Sequence, residues 1–158
     1  MVVSLDSKDK KILGMVQQNC RLTAREISER VGAPITTVFA KLKRMERQGL
    51  VRGYHAVLNA SKLNMGTTAF ILASFAYRDK GQKLLSQREI AREIAGFPEV
   101  QEVHIISGEW DILMKVKAKD VDTVGEFVVD KLRLVEGIQK TLTCLVFVSE
   151  KESTSLPI

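Results

Sequence analysis

The sequence contains no stretch of about 18 apolar residues, so no helix written into it is long enough to cross a bilayer. Where a secretory leader would hold an apolar core, the N-terminus carries Asp6, Lys8, Asp9, Lys10 and Lys11, and the expected location is the cytoplasm. Only two cysteines are present, Cys20 and Cys144. They lie far apart and in no CxxC or Cys/His cluster, which removes a disulfide framework and a zinc site and leaves two buried free thiols as the expectation. Histidine is equally scarce: His55 and His104 stand apart with no evident nucleophile nearby. No metal-spaced carboxylate cluster and no phosphate-binding glycine loop occurs, so no catalytic, metal or cofactor site is expected beyond a small-molecule effector. Three prolines and no low-complexity run, beside 45% hydrophobic and 27% charged residues, describe a folded chain and not a disordered one. Residues 149–158 read as a polar tail.

The charge that is present is unevenly placed. Residues 1–60 carry eleven Lys/Arg against five Asp/Glu, a net of +6, whereas residues 61–158 are nearly balanced at −1. Such asymmetry suits a polyanion partner, because clustered cations gain affinity by releasing phosphate counterions; a solvated basic face is the alternative that charge alone leaves open.

Three helices are written into this basic third. Asp6 and Asp9 place carboxylates at a helix start, and Leu5, Ile12, Leu13 and Val16 follow at helical spacing, which predicts a first helix over Ser7–Gln18. Thr23 and Glu26 form a T-x-x-E capping box for a second, with Ile27 and Val31 inward. Gly32 can close it in the left-handed conformation, and Pro34 suits the first position of a third. In that third helix Ile35, Val38, Leu42 and Met45 share a packing side. A small Ser28, a turn Gly32 and an inner Val38 are the spacing of a helix-turn-helix, whose third helix enters the major groove. Thr36, Thr37, Ala40 and Lys41 are expected near base edges, and Lys43, Arg44 and Arg47, with Arg21 and Arg25 outside, near phosphates of double-stranded DNA. Residues 50–58 read as a strand linking two domains.

The remainder alternates in a different rhythm. Strands are predicted over 67–77, 99–107, 110–118 and 138–148, and helices over 86–96 and from Asp120 to Gly137, with Val121, Val124, Phe127, Val128, Leu132 and Val135 on one face. The two middle strands form a hairpin around Gly108. This βαββαβ order fits a ferredoxin-like sandwich with both helices on one face of the sheet. Yet the first and last strands are apolar at both parities, with Phe70, Leu72, Leu142 and Cys144 alternating with Ile71, Ala73, Phe75 and Leu145. With no spare element to cover the second face, another subunit is the simplest cover, and a homodimer is expected. The fold class is therefore α+β: residues 1–49 a helix-turn-helix domain, 50–65 a linker strand and hinge, 66–150 a ferredoxin-like effector-binding and oligomerisation domain, and 151–158 a flexible tail.

Leu5-Asp6, Asp9 and Ile12-Leu13, the helix-turn-helix around Gly32 and Val38, the run from Arg44 to Val51 leading into Gly53-Tyr54, and Ser107-Gly108-Glu109-Trp110-Asp111 are each common alone. In this order and spacing they resemble the Lrp/AsnC family, the feast/famine transcription regulators of bacteria and archaea, over nearly the whole length. The resemblance implies a C-terminal module in which an effector, usually an amino acid, sits between dimers and shifts the assembly towards octamers or larger forms. It places that effector at Gly108, Glu109, Trp110 and Asp111, with Thr141 and Thr143 nearby. Loop N–H groups suit an α-carboxylate, Asp111 an α-ammonium and the Thr hydroxyls either; a purely structural role for Gly108 and Asp111 in shaping the hairpin is the alternative. An oligomeric helix-turn-helix scaffold that binds protein and no effector is the competing function.

Overall fold

The computed structural model describes residues 3–78 and 81–158. The chain divides into two compact units, one formed by the residues up to Val57 together with Lys151–Ile158, the other by Leu58–Glu150.

The first unit is helical because its caps leave little choice. Asp6 accepts from the Asp9 N–H and Asp9 reaches back to the Asp6 N–H, starting α1 (Ser7–Gln18). Thr23 and Glu26 repeat the device for α2 (Ala24–Val31), which Gly32 ends at a φ of 65°. Pro34 lies just outside α3 (Ile35–Arg47), as its N-cap at ψ 144° and not as its first helical residue. Ile12, Ile27, Val31, Ala33, Val38 and Met45 form the core, with Leu5, Leu13, Val16 and Leu42 packed around it. Ile35 departs from the expected packing stripe and is 48% exposed. Helical side chains lean towards the N-terminus, and at the first position there is no turn beneath to lean on. Val121, first in its own helix, is exposed for the same reason.

Residues 50–58 form no strand, against expectation. An extended segment becomes a strand only through a ladder partner, and among the described residues no strand ladder includes these.

In the second unit β1 (Thr67–Phe75), α4 (Gln87–Ala95), β2 (Val100–Ile105), β3 (Ile112–Ala118), α5 (Val121–Glu126) and β4 (Ile138–Leu145) follow in the βαββαβ order. α5 continues into a π turn at Phe127–Lys131 and a 3-10 turn at Leu132–Leu134. The sheet order is β2-β3-β1-β4, every neighbouring pair antiparallel. Ala69, Ile71, Ala73 and Phe75 of β1 and Ile112, Met114, Val116 and Ala118 of β3 bury against Ile90, Ile94, Val124, Phe127, Val128, Leu132 and Val135. The other parity is uncovered: Phe70 pairs with Cys144 and Leu72 with Leu142, and Phe70 and Leu142 are 38% and 46% exposed. Neither cysteine is buried, contrary to the sequence expectation. Cys20 follows the end of α1, and Cys144 belongs to the bare face of the sheet. Among the described residues no helix is long and apolar enough to cross a membrane.

Candidate DNA interface and effector loop

α3 owes its position to its inner side. Val38 and Met45 are fully buried, and the Ser28 hydroxyl donates to the Ala33 carbonyl at 2.6 Å while its own carbonyl accepts from Gly32 and Ala33. Ser28 is thus more than a small residue that permits close approach: it ties down the turn. At the far end, Gly49 at φ 70° lets Leu50 N–H return to the Met45 carbonyl.

The outer side of α3 forms a shallow trough of about 440 Å³ lined by Thr36, Thr37, Ala40, Lys41 and Arg44. All five were expected at a DNA surface, and the fold does bring them together. Lys43 and Arg47 lie exposed on the same helix, and Arg21 and Arg25 are exposed before and within α2. The cations are not equally free. Lys43 pairs with Glu46 at 3.0 Å and Arg25 with Glu29 at 3.4 Å. Lys41 Nζ lies 2.5 Å from Asp6 and 2.9 Å from Asp9, and Arg44 Nη2 lies 2.6 Å from Asp9 Oδ2.

Asp9 is the centre of this cluster, at 1% exposure. Burial pushes its carboxyl up, but hydrogen bonds from Lys41 and the Asp6 amide, together with the adjacent Arg44 guanidinium, more than offset that and hold it down at about 2. The Asp6 bond to Lys41 lowers the Asp6 carboxyl, and the same two carboxylates raise Lys41. The Arg44 contact is a close charge pair and not an aligned hydrogen bond: among the described residues its buried Nε and Nη2 have no hydrogen-bond partner of good geometry.

In the second unit, Gly108 adopts φ 124° in the loop from β2 to β3, with Glu109 exposed and Trp110 and Asp111 half-buried. Asp111 braces this loop. Its Oδ2 accepts from the Phe75 N–H at 2.8 Å, its N–H donates to the Ala73 carbonyl, and its carbonyl accepts from Gln87 Nε2 and Ile106 N–H. Thr141 pairs with Ala73 and Thr143 with Ile71, so Thr141 of β4 and Asp111, just ahead of β3, flank Ala73 from its two sides. Thr143 is exposed.

Two family models match this chain, the winged helix-turn-helix DNA-binding model over residues 5–52 and the Lrp/AsnC ligand binding domain over residues 80–156. An uncharacterised HTH-type transcriptional regulator of Pyrococcus horikoshii is 41% identical over 148 residues, covering 94% of this chain and 96% of the relative. The chain belongs to the Lrp/AsnC family. The HTH-type transcriptional regulator FL11 of Pyrococcus furiosus is 30% identical over 154 residues, 98% of this chain and 97% of its own. Among solved structures, a transcriptional regulator of Neisseria meningitidis in complex with L-Met superposes with a TM-score of 0.89 at 34% identity, covering 98% of this chain and 97% of that one. AsnC of E. coli shares the fold, with a TM-score of 0.83 at 21% identity over 98% and 100%. The chain is accordingly a transcriptional regulator with an HTH DNA-binding domain and an Lrp/AsnC ligand-binding domain, from an oligomeric family.

Some residues of this Lrp/AsnC chain escape a reading of the sequence alone. Asp6 and Asp9 read as helix caps, yet they also hold two cations of the recognition helix; two carboxylates within a strongly basic third were the available signal. Glu46 accepts from both Lys43 and the Tyr54 hydroxyl, tying the segment after α3 back to it. Burial, then the Glu46 bond, pushes the Tyr54 phenol up to about 12. Phe39 is 56% exposed beside the trough residue Ala40, with Lys43 Nζ 5.9 Å from its ring centre; an aromatic at an outward helical position was the clue.

Proposed function

We propose that this chain regulates transcription by sequence-specific binding to double-stranded DNA, in the cytoplasm, with its assembly biased by an amino-acid effector. The observation that carries the DNA reading is the α3 trough: short Thr36, Thr37 and Ala40 leave room for base edges, and exposed Arg47, with Lys43, Arg21 and Arg25, is suited to flanking phosphates. A labelled-duplex titration tests it. Affinity should fall steeply with salt; binding insensitive to salt, or absent, would favour the protein scaffold instead.

The amino-acid effector draws support from the Neisseria relative, which was solved with L-Met and matches at 34% identity. It also draws on the loop of Gly108, Glu109, Trp110 and Asp111, and on Thr141 and Thr143 of β4, which pair with β1 next to it. One Asp111 oxygen is engaged by Phe75 N–H, which leaves Oδ1 for an α-ammonium. A screen of the twenty amino acids for a raised thermal midpoint checks this reading, since a ligand present at 100 times its Kd stabilises by about 2.7 kcal/mol. No shift with any of them would remove the amino-acid effector. A dimer through the open sheet face, assembling further to octamers or larger forms, completes the proposal.

A further inference from the structure

The first unit is strongly basic, yet the two recognition-helix cations that line its trough are already neutralised. Lys41 and Arg44 are the two cations that line the α3 trough, and Asp6 and Asp9, from the start of α1, supply two negative charges within 2.9 Å of them. Lys41 is drawn in so far that only 16% of its side chain is exposed, whereas Asp6 remains 56% exposed at the rim. Each carboxylate has a second task, since Asp6 and Asp9 also cap each other's N–H groups. The clasp is therefore fixed in place by the helix start itself.

Such an arrangement changes what DNA gains from these cations. Non-specific attraction comes from cations that displace phosphate counterions, and a Lys already bonded to two carboxylates has little left to contribute. To use Lys41, a duplex must exchange two short ionic bonds for its own contacts, which is favourable only where bases and phosphates fit the trough closely. Carboxylates beside the groove also repel phosphates that approach out of register. Resting on the DNA-binding reading above, we infer that Asp6 and Asp9 are selectivity-determining residues: by holding Lys41 and Arg44 in an internal, neutral clasp, they suppress binding to arbitrary DNA and make these cations available only to a fitting site.

Asp6→Asn in the full chain tests this cleanly, because Asn caps a helix as well as Asp and only the charge is removed. Binding is measured on a duplex that the wild-type chain selects from a random library, and on an unselected duplex of equal length, across a salt series. The expected result is tighter binding to the unselected duplex at low salt, a log–log salt slope steeper by about 0.9 for one freed cation, and a selected-to-unselected affinity ratio reduced several-fold. Thr23→Ala, which weakens the cap of α2 without altering charge, should leave both slope and ratio unchanged. An Asp6→Asn chain with unaltered slope and ratio, or one weakened equally on both duplexes, would overturn the inference and reduce the clasp to a brace for the fold. A Thr23→Ala chain that reproduced the change would do the same. Wild-type binding that shows no salt dependence and no selection would instead remove the DNA reading, and the clasp inference with it.

Discussion

Asp9 shows how one side chain can hold three obligations. It closes the cap of α1, it is buried to 1% exposure, and it meets both Lys41 and Arg44. A carboxyl held at about 2 in the folded chain, against about 3.9 in an unfolded one, stabilises the fold in full above pH 4. That contribution fades as the pH falls from 4 towards 2, where the folded group also takes up its proton. Acid titration of the thermal midpoint should therefore show a decline over this window, and Asp9→Asn should flatten it. Asp9→Ala removes cap and counter-charge together, with an expected loss of roughly 2 kcal/mol in denaturant unfolding. The figure stays below that of a fully buried pair because Lys41 and Arg44 reach solvent. Asp111→Ala, by contrast, should abolish the thermal shift given by an amino-acid effector while leaving DNA affinity unchanged; an intact shift would take Asp111 out of the effector site.

Among the elements, glycine turns offer a graded test. Gly32 and Gly137 both have positive φ, 65° and 91°, but a Cβ at Gly32 would meet nothing within 4 Å. At Gly137 it would sit 3.0 Å from Ile90 and Phe75 and 3.1 Å from Leu85. Gly32→Ala should cost about 1 kcal/mol from backbone strain alone. Gly137→Ala adds overpacking to strain and should cost about 3 kcal/mol, read by denaturant unfolding of each variant. The elements around these turns were largely legible in the sequence. α1 has the bounds its caps and periodicity predict, and the βαββαβ order follows from the alternation of patterns, because caps, turns and apolar period are local properties. What was not legible joins distant positions. Lys41 finds Asp6 across 35 residues, and Gln17 pairs with both backbone groups of Leu156 across 139. The polar tail has no pattern of its own, and that contact ties it to α1. The linker strand failed to form for the reverse reason: its residues suit a strand, but among the described residues none pairs with it in a ladder.

For the molecule as a whole, the open face of the sheet matters most. Phe70, Leu72, Leu113 and Leu142 share it, with Lys115 drawn in beside Phe70 and 3.6 Å from Glu102. A bare apolar face in a chain from an oligomeric family is suited to a second copy. Phe70→Lys should raise the dimer dissociation constant by about 100-fold or more, since two phenyl rings of roughly 1.5–3 kcal/mol each are lost per dimer. Sedimentation velocity across a dilution series reads this directly, and an unchanged midpoint would place the interface elsewhere. The sequence by itself determined the helix starts and stops, the order of strands, the basic character of the first third and the two apolar faces of β1 and β4, because each is set by neighbours within a few residues. Tertiary structure alone decided which cations of the recognition helix are free, which face of the sheet stays bare, and that Asp111 braces its loop. Those outcomes depend on which remote groups come within about 3 Å of one another, and no local pattern records that distance.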